Sequence, residues 1–229
     1  MAIRTENKLQ YAPKLIEFGD NWFKEEYFEG TPINRIERLK FSYESIYKIA
    51  DMHLNELLLK TKKKFSNKAY KDLVYFEVQK IMNDKIITTS NEILDNINAI
   101  LNLLFEKLSN SNVDVSWSHG DLQQANILVN GNDFKVIDWE ASNHRYFFYD
   151  IFTLLSGIRT GISLKQAFEN FKIQLREFPS KIKVDKGVIL LLLIEELRFS
   201  VNEEFSENFY FSGVKTEKLC EAIRNYLNE

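Results

Sequence analysis

The chain has 229 residues with an apolar fraction of 45%, enough for one large or two small domains around a true core. Its net charge is only -3 and its basic residues are scattered, which excludes the electrostatic footprint of a nucleic-acid binder. The longest apolar run, Val188 to Ile194, falls far short of the about 20 residues a bilayer span needs, and the single cysteine, Cys220, excludes an internal disulfide.

Neither nucleic acid nor membrane is therefore expected as a partner. The N-terminal stretch MAIRTENKLQ lacks the apolar core of a signal peptide, so the expected location is cytoplasmic.

In chain order, two aromatic and aliphatic runs flank Gly19, Asp20 and Asn21, which predicts a hairpin with strands near Lys14 to Phe18 and Trp22 to Phe28. After Gly30 and Pro32, Ile36, Leu39, Tyr43, Ile46, Tyr47, Ala50, Leu54, Leu57 and Leu58 recur at three and four. That spacing predicts a long helix over about Asn34 to Leu59. The TKKKF run at Thr61 to Phe65 reads as its solvated end. Two core helices are expected around Tyr70 to Met82 and Asn91 to Leu108. Short β-branched or aromatic runs follow in VDVSW, NILV and FKVIDW, the last two joined by Asn130-Gly131, a strong hairpin signal. The rest is predicted helical, at Tyr149 to Gly157, Leu164 to Gln174, Lys186 to Asn202 and Thr216 to Leu227.

The chemistry concentrates in SHGDLQQANILVNGNDFKVIDWE, Ser118 to Glu140, with four carboxylates, one histidine and three asparagines. Asp121 and Asn126 fall on a strand-to-strand loop, and the following hairpin can fold Asp138 back toward it. Two carboxylates and an amide oxygen are hard ligands of the kind magnesium takes beside phosphate oxygens and water. Transfer from Mg-ATP would need the metal to neutralise phosphate charge and one carboxylate to accept a hydroxyl proton. Taken singly, each of these residues could equally be turn chemistry; the joint pattern argues for a site.

The segment resembles the catalytic core of the aminoglycoside phosphotransferase and choline kinase family, distant relatives of protein kinases. H-x-D-x-x-x-x-N appears as His119, Asp121 and Asn126, and the later I-D-W as Ile137, Asp138 and Trp139, with Ala125 where a glycine is usual. The resemblance implies an α+β, protein-kinase-like fold with a mostly helical C-terminal lobe and short β-hairpins. It implies ATP and Mg2+ as cofactors, Asp121 as catalytic base, and Asn126 and Asp138 as metal ligands. His119 would brace the loop, and Asp150 would start a helix and bond the catalytic-loop backbone. EEYFEG resembles the hinge, so Glu26, Tyr27 and Phe28 would bind the adenine edge, and IADMH resembles a helix that ends in Leu-His at His53. Gln123 points toward the choline and ethanolamine kinase branch.

The family also implies a strand-rich lobe with a phosphate-covering loop and a phosphate-pairing lysine. Three strands and a helix need roughly 28 residues, whereas 12 precede Pro13. A truncated N-terminal lobe is therefore expected, with residues 1–30 its remnant and hinge and residues 31–229 the catalytic lobe. A fragment, a partner chain supplying the missing lobe, and a degenerate gene product all fit this expectation.

The function implied is transfer of the ATP γ-phosphate to a hydroxyl of a small molecule such as choline, ethanolamine, an amino sugar or a sugar. A non-catalytic pseudokinase or kinase fragment acting as a scaffold is the competing class, and metal-dependent phosphate hydrolysis a third. Glu140 either helps hold the metal or faces water. Glu195, Glu196, Glu203, Glu204 and Glu207, interleaved with Phe199, Phe205, Phe209, Tyr210 and Phe211, either recognise a cationic acceptor or form the solvated face of an amphipathic helix. His53 and His144 show no ligand spacing and are expected to be core or surface residues.

Overall fold

The computed structural model describes residues 9–19, 22–36, 43–84, 91–108, 112–178, 183–207 and 214–228. The first hairpin pairs β1, Leu15–Phe18, antiparallel with β2, Phe23–Glu25, the second strand shorter than its sequence run suggested. An extended segment leads to β3, Thr31–Pro32, and a single 3-10 turn at Ile33–Arg35. Helix α1 is described over Tyr43–His53; the start of the expected helix, at Asn34 and Arg35, belongs to that 3-10 turn instead, and residues 37–42 lie outside the described residues. It continues through a π-helical stretch, Leu54–Leu58, to Leu59–Thr61. The adjacent Leu57 and Leu58 of this stretch are both fully buried.

The lysine run is not a helix end. Lys63–Phe65 forms β4, an edge strand that pairs antiparallel with β5, Val113–Ser118. Its partner is almost wholly buried, so both its edges need hydrogen bonds, and a strand rich in lysine protects the outer edge from further pairing. Lys62 anchors the start through Asp114 at 2.8 Å. The other edge of β5 is covered by β8, Asn143–Tyr146, a strand that the sequence reading did not foresee.

A second three-stranded sheet, in the order β3-β6-β7, contains the expected hairpin of β6, Ile127–Asn130, and β7, Asp133–Val136. Asn130 pairs with Asp133, and Gly131 takes the positive φ of 59° at the first loop position that a tight two-residue turn asks for. The strand run ends at Val136, so Ile137 and Asp138 lie beyond it.

The helices form the bulk of the core. They are α2, Asn67–Asp84, α3, Asn91–Lys107, α4, Tyr149–Ser156, α5, Leu164–Glu177, α6, Lys186–Glu207, and α7, Val214–Asn228. All eight residues of α4 are buried, and Gly157 ends it in the left-handed conformation. Ser163 caps α5 by accepting from the Gln166 N–H. Helix α6 packs against α2, α3, α4 and α7, so it has no solvated face over most of its length.

This overturns the amphipathic reading of α6. Glu195, Glu196 and Glu204 are all at most 3% exposed. Glu195 bonds Arg198, Arg145, the Tyr70 hydroxyl and the Tyr146 N–H, and Arg198 also pairs with Glu77. Glu204 accepts from the N–H groups of Lys215 and Thr216 at the start of α7. Buried carboxylates are tolerated here because each has cationic or N–H partners. Phe209, Tyr210 and Phe211, and the side chains of Phe205 and Glu207, lie outside the described residues.

Leu9, Tyr11 and Ala12 join the same core as the helices, and the Val136 N–H donates to the Tyr11 carbonyl at 2.7 Å. Among the described residues, no helix is long and apolar enough to cross a membrane.

Candidate functional site

The site is built on the loop between β5 and β6. Strand β5 ends at Ser118, and Asp150 at the start of α4 gathers the backbone that follows. It accepts from the N–H groups of His119 at 2.7 Å and Gly120 at 2.9 Å, from the Ser118 hydroxyl at 2.6 Å and from His53 Nε2 at 2.7 Å. Burial by itself would raise this carboxyl. The His53 hydrogen bond and charge and the Ser118 hydroxyl outweigh it and hold Asp150 well below the usual carboxylate range. His53 also meets the Tyr11 hydroxyl at 3.0 Å, so it is a core histidine, as expected.

Gly120 is dictated by space as well as by backbone. Its φ is +89°, and a Cβ there would lie 2.1 Å from the Ala141 carbonyl oxygen. His119 is fully buried against Trp139, with ring centres 4.6 Å apart. Its Nε2 faces the Ile137 carbonyl at 2.9 Å and its Nδ1 faces the Asp121 N–H at 3.3 Å. A carbonyl only accepts and a backbone N–H only donates, so the ring is neutral with its proton on Nε2. Burial accordingly pushes its pKa below the usual imidazole value.

The same two contacts bring Asp138 to the loop. His119 holds the Ile137 carbonyl, and the Ile137 N–H donates to the Asn126 carbonyl at 2.9 Å. Trp139 Nε1 donates to the Val136 carbonyl at 2.7 Å. Between these fixed neighbours, Asp138 adopts φ 64° and ψ 60°, the one non-glycine residue with positive φ among those described. Aspartate tolerates this region better than most residues, and strain of this kind concentrates at functional sites.

Asp121 and Asp138 line one cleft of about 350 Å³, together with Glu140, Asn143, Arg145, Phe199, Asn202 and Glu203. Partial burial raises the Asp138 pKa, and Glu140 and Asp121 raise it further. The cleft is therefore short of positive charge. Asn126 stands behind Asp121, with Nδ2 donating to the Asp121 carbonyl at 3.0 Å and to Oδ2 at 3.2 Å. Its Oδ1 receives no hydrogen bond from the described residues.

A carboxylate, an amide oxygen and excess negative charge fit a hard divalent cation that completes its shell with phosphate and water. No group of three or more His, Cys, Asp or Glu among the described residues could hold a metal unaided. The expected adenine-binding residues stand apart from the cleft wall. Glu26 and Tyr27 are exposed, Phe28 is half-buried, and the Glu26 N–H is taken by the Lys14 carbonyl at 2.8 Å.

The sequence reading missed Arg159. It lies in the 3-10 turn Ile158–Thr160 after α4, carried there by Gly157, in a segment with no motif to flag it. Its Nε donates to Asp121 Oδ1 at 2.9 Å, Nη1 to Glu196 at 2.8 Å and Nη2 to the Tyr149 hydroxyl at 2.8 Å. The guanidinium lies 3.8 Å from the centre of the Phe199 ring. Glu196 is thus a partner of Arg159.

Kinase-like proteins that phosphorylate small molecules share this architecture. Choline kinase LicA from Streptococcus pneumoniae superposes with a TM-score of 0.60 at 16% identity, over 98% of this chain and 78% of that one. A thermostable mutant of aminoglycoside phosphotransferase APH(4)-Ia, bound to ADP and hygromycin B, gives 0.56 at 12% identity, over 94% and 77%. An ethanolamine kinase from Plasmodium vivax gives 0.51 at 17%, over 96% and 70%. No curated protein sequence matches this one.

The fold is that of the kinase-like phosphotransferases. Residues 62–177 match the phosphotransferase enzyme family, and the chain belongs to that family.

Proposed function

We propose that the chain transfers the γ-phosphate of ATP, with Mg2+, to a hydroxyl group of a small molecule. The observation that carries this reading is the convergence of Asp121 and Asp138 on one cleft from a loop and a hairpin that are 17 positions apart in sequence.

In this reading Asn126 and Asp138 hold the metal, with Glu140 adding negative charge. Bound Mg2+ would supply neutralisation of phosphate charge. Asp121 orients the acceptor hydroxyl and takes its proton. The backbone of Glu26, Tyr27 and Phe28 receives the adenine edge, residues 1–30 serve as the remnant of the nucleotide lobe, and residues 31–229 carry the chemistry. The likeness to choline, ethanolamine and aminoglycoside kinases, together with the acidic cleft, supports a choline, ethanolamine, amino sugar or sugar acceptor. The protein acts in the cytoplasm. A partner chain that supplies nucleotide-lobe strands would find the exposed first hairpin as its docking edge.

Calorimetry of ATP binding with and without Mg2+, on the intact chain and on Asp138→Ala, tests the reading. Metal-dependent binding that the substitution abolishes is expected, followed by a phosphorylated product when choline, ethanolamine or glucosamine is added. Product formation should fall by roughly 100-fold or more in Asp121→Asn. Failure of the intact chain to bind Mg-ATP would overturn the reading and leave a scaffold role.

A further inference from the structure

The hydrogen bonds around Asp121 are unequal. Oδ2 accepts from Gln123 Nε2 at 2.7 Å and from Asn126 Nδ2 at 3.2 Å, whereas among the described residues Oδ1 accepts only from Arg159 Nε. A carboxylate offers about four lone-pair positions, two on each oxygen. Among the described residues, both positions on Oδ2 are taken and one on Oδ1 is left open. Asp121 lines the cleft, so an acceptor hydroxyl has one vacant lone pair to approach, and it lies beside the guanidinium.

Arg159 is itself held on three sides. Glu196 and the Tyr149 hydroxyl accept from its terminal nitrogens, and the Phe199 ring lies against its face. Tyr149 and Glu196 are fixed in buried helices, so the direction in which Nε donates is set by α4 and α6 rather than by the loop. Phe199 also lines the cleft, which links this clamp to the space an acceptor would fill.

We propose that Arg159 is a positioning residue that selects Oδ1 of Asp121 as the proton-accepting atom and aims it into the cleft. This rests on the phosphotransferase reading. In the step, the acceptor O–H proton passes to Oδ1, the acceptor oxygen bonds the γ-phosphorus, and the bond from that phosphorus to the bridging oxygen breaks with its electron pair leaving on ADP. Without Arg159 the carboxylate can rotate about its own bond, and a misplacement of about 1 Å costs on the order of 100-fold in rate.

The test compares the intact chain with Arg159→Ala, Arg159→Lys and the double variant Arg159→Gln/Glu196→Gln, which leaves no buried carboxylate unpaired. Turnover of Mg-ATP is measured with choline, ethanolamine or glucosamine, and with water alone. Arg159→Ala and the double variant should lose roughly 100-fold in kcat while KM for ATP stays within about twofold. Millimolar guanidinium should restore part of the loss in Arg159→Ala, and Arg159→Lys should keep part of it. In the absence of substrate, the Nε–H resonance of Arg159 should lose its protection from solvent exchange in Asp121→Ala.

Near-normal kcat in the double variant, or a loss that follows melting temperature and is not rescued by guanidinium or lysine, would overturn the inference alone. An intact chain that binds no Mg-ATP, or turns it over with none of these donors, would overturn the phosphotransferase reading and the inference with it.

Discussion

At the scale of single residues, Asp138 is the clearest case of a position held against its own preference. Partial burial and the neighbouring Glu140 and Asp121 raise its pKa, and its backbone is left-handed. A carboxyl whose folded pKa is raised binds its proton better in the folded state, so ionisation at neutral pH works against the fold. Asn keeps the shape and tolerates the left-handed region. Asp138→Asn should therefore raise the melting temperature of the ligand-free protein at pH 7 by about 1–2 °C, a fraction of a kcal/mol for a chain of this size. The same variant should lose metal-dependent ATP binding. Scanning calorimetry and titration calorimetry on one preparation check both, and a lowered melting temperature would contradict the electrostatic account. Gly120 is constrained differently, because the Ala141 carbonyl occupies the space a side chain would need.

At the scale of elements, Asp150 ties α4 to the loop between β5 and β6 and, through His53, to α1. Its carboxyl is held well below the usual range. The stability this contributes is present above the unfolded value, about 3.9, and is lost as pH falls through the folded value. Asp150→Ala should cost about 3 kcal/mol or more at pH 7, because it leaves buried N–H donors and His53 without an acceptor. The variant should also show a flatter fall in stability than the intact chain below about pH 4. Urea unfolding at pH 7 and at pH 3 measures this, and an equal loss at both would refute it. The loop, the β6–β7 hairpin and α4 were legible in sequence because Asn-Gly, H-x-D-x-x-x-x-N and a helix-starting aspartate carry local signals. Strands β4 and β8 were not, because lysine-rich or mixed tetrapeptides become strands only through pairing with β5.

At the scale of the molecule, the helices and two sheets form one core, whereas the first hairpin stands proud of it. Ile16, Phe18, Trp22 and Tyr27 are 52%, 62%, 57% and 87% exposed. Replacing Phe18 and Trp22 together by Ser should lower binding of an apolar dye and any self-association. It should leave the melting temperature within about 1 °C, since these side chains bury little. A large drop in melting temperature would show that the hairpin supports the core. The sequence by itself determined the class of fold and the β6–β7 hairpin, because helical spacing and turn chemistry are properties of neighbouring residues. The buried ion pairs of α6 and the Arg159 clamp were decided by tertiary structure alone. Glu196 reads as solvated until the turn after α4 brings Arg159 within about 3 Å, and that distance is fixed by how α4 and α6 pack, not by any local pattern.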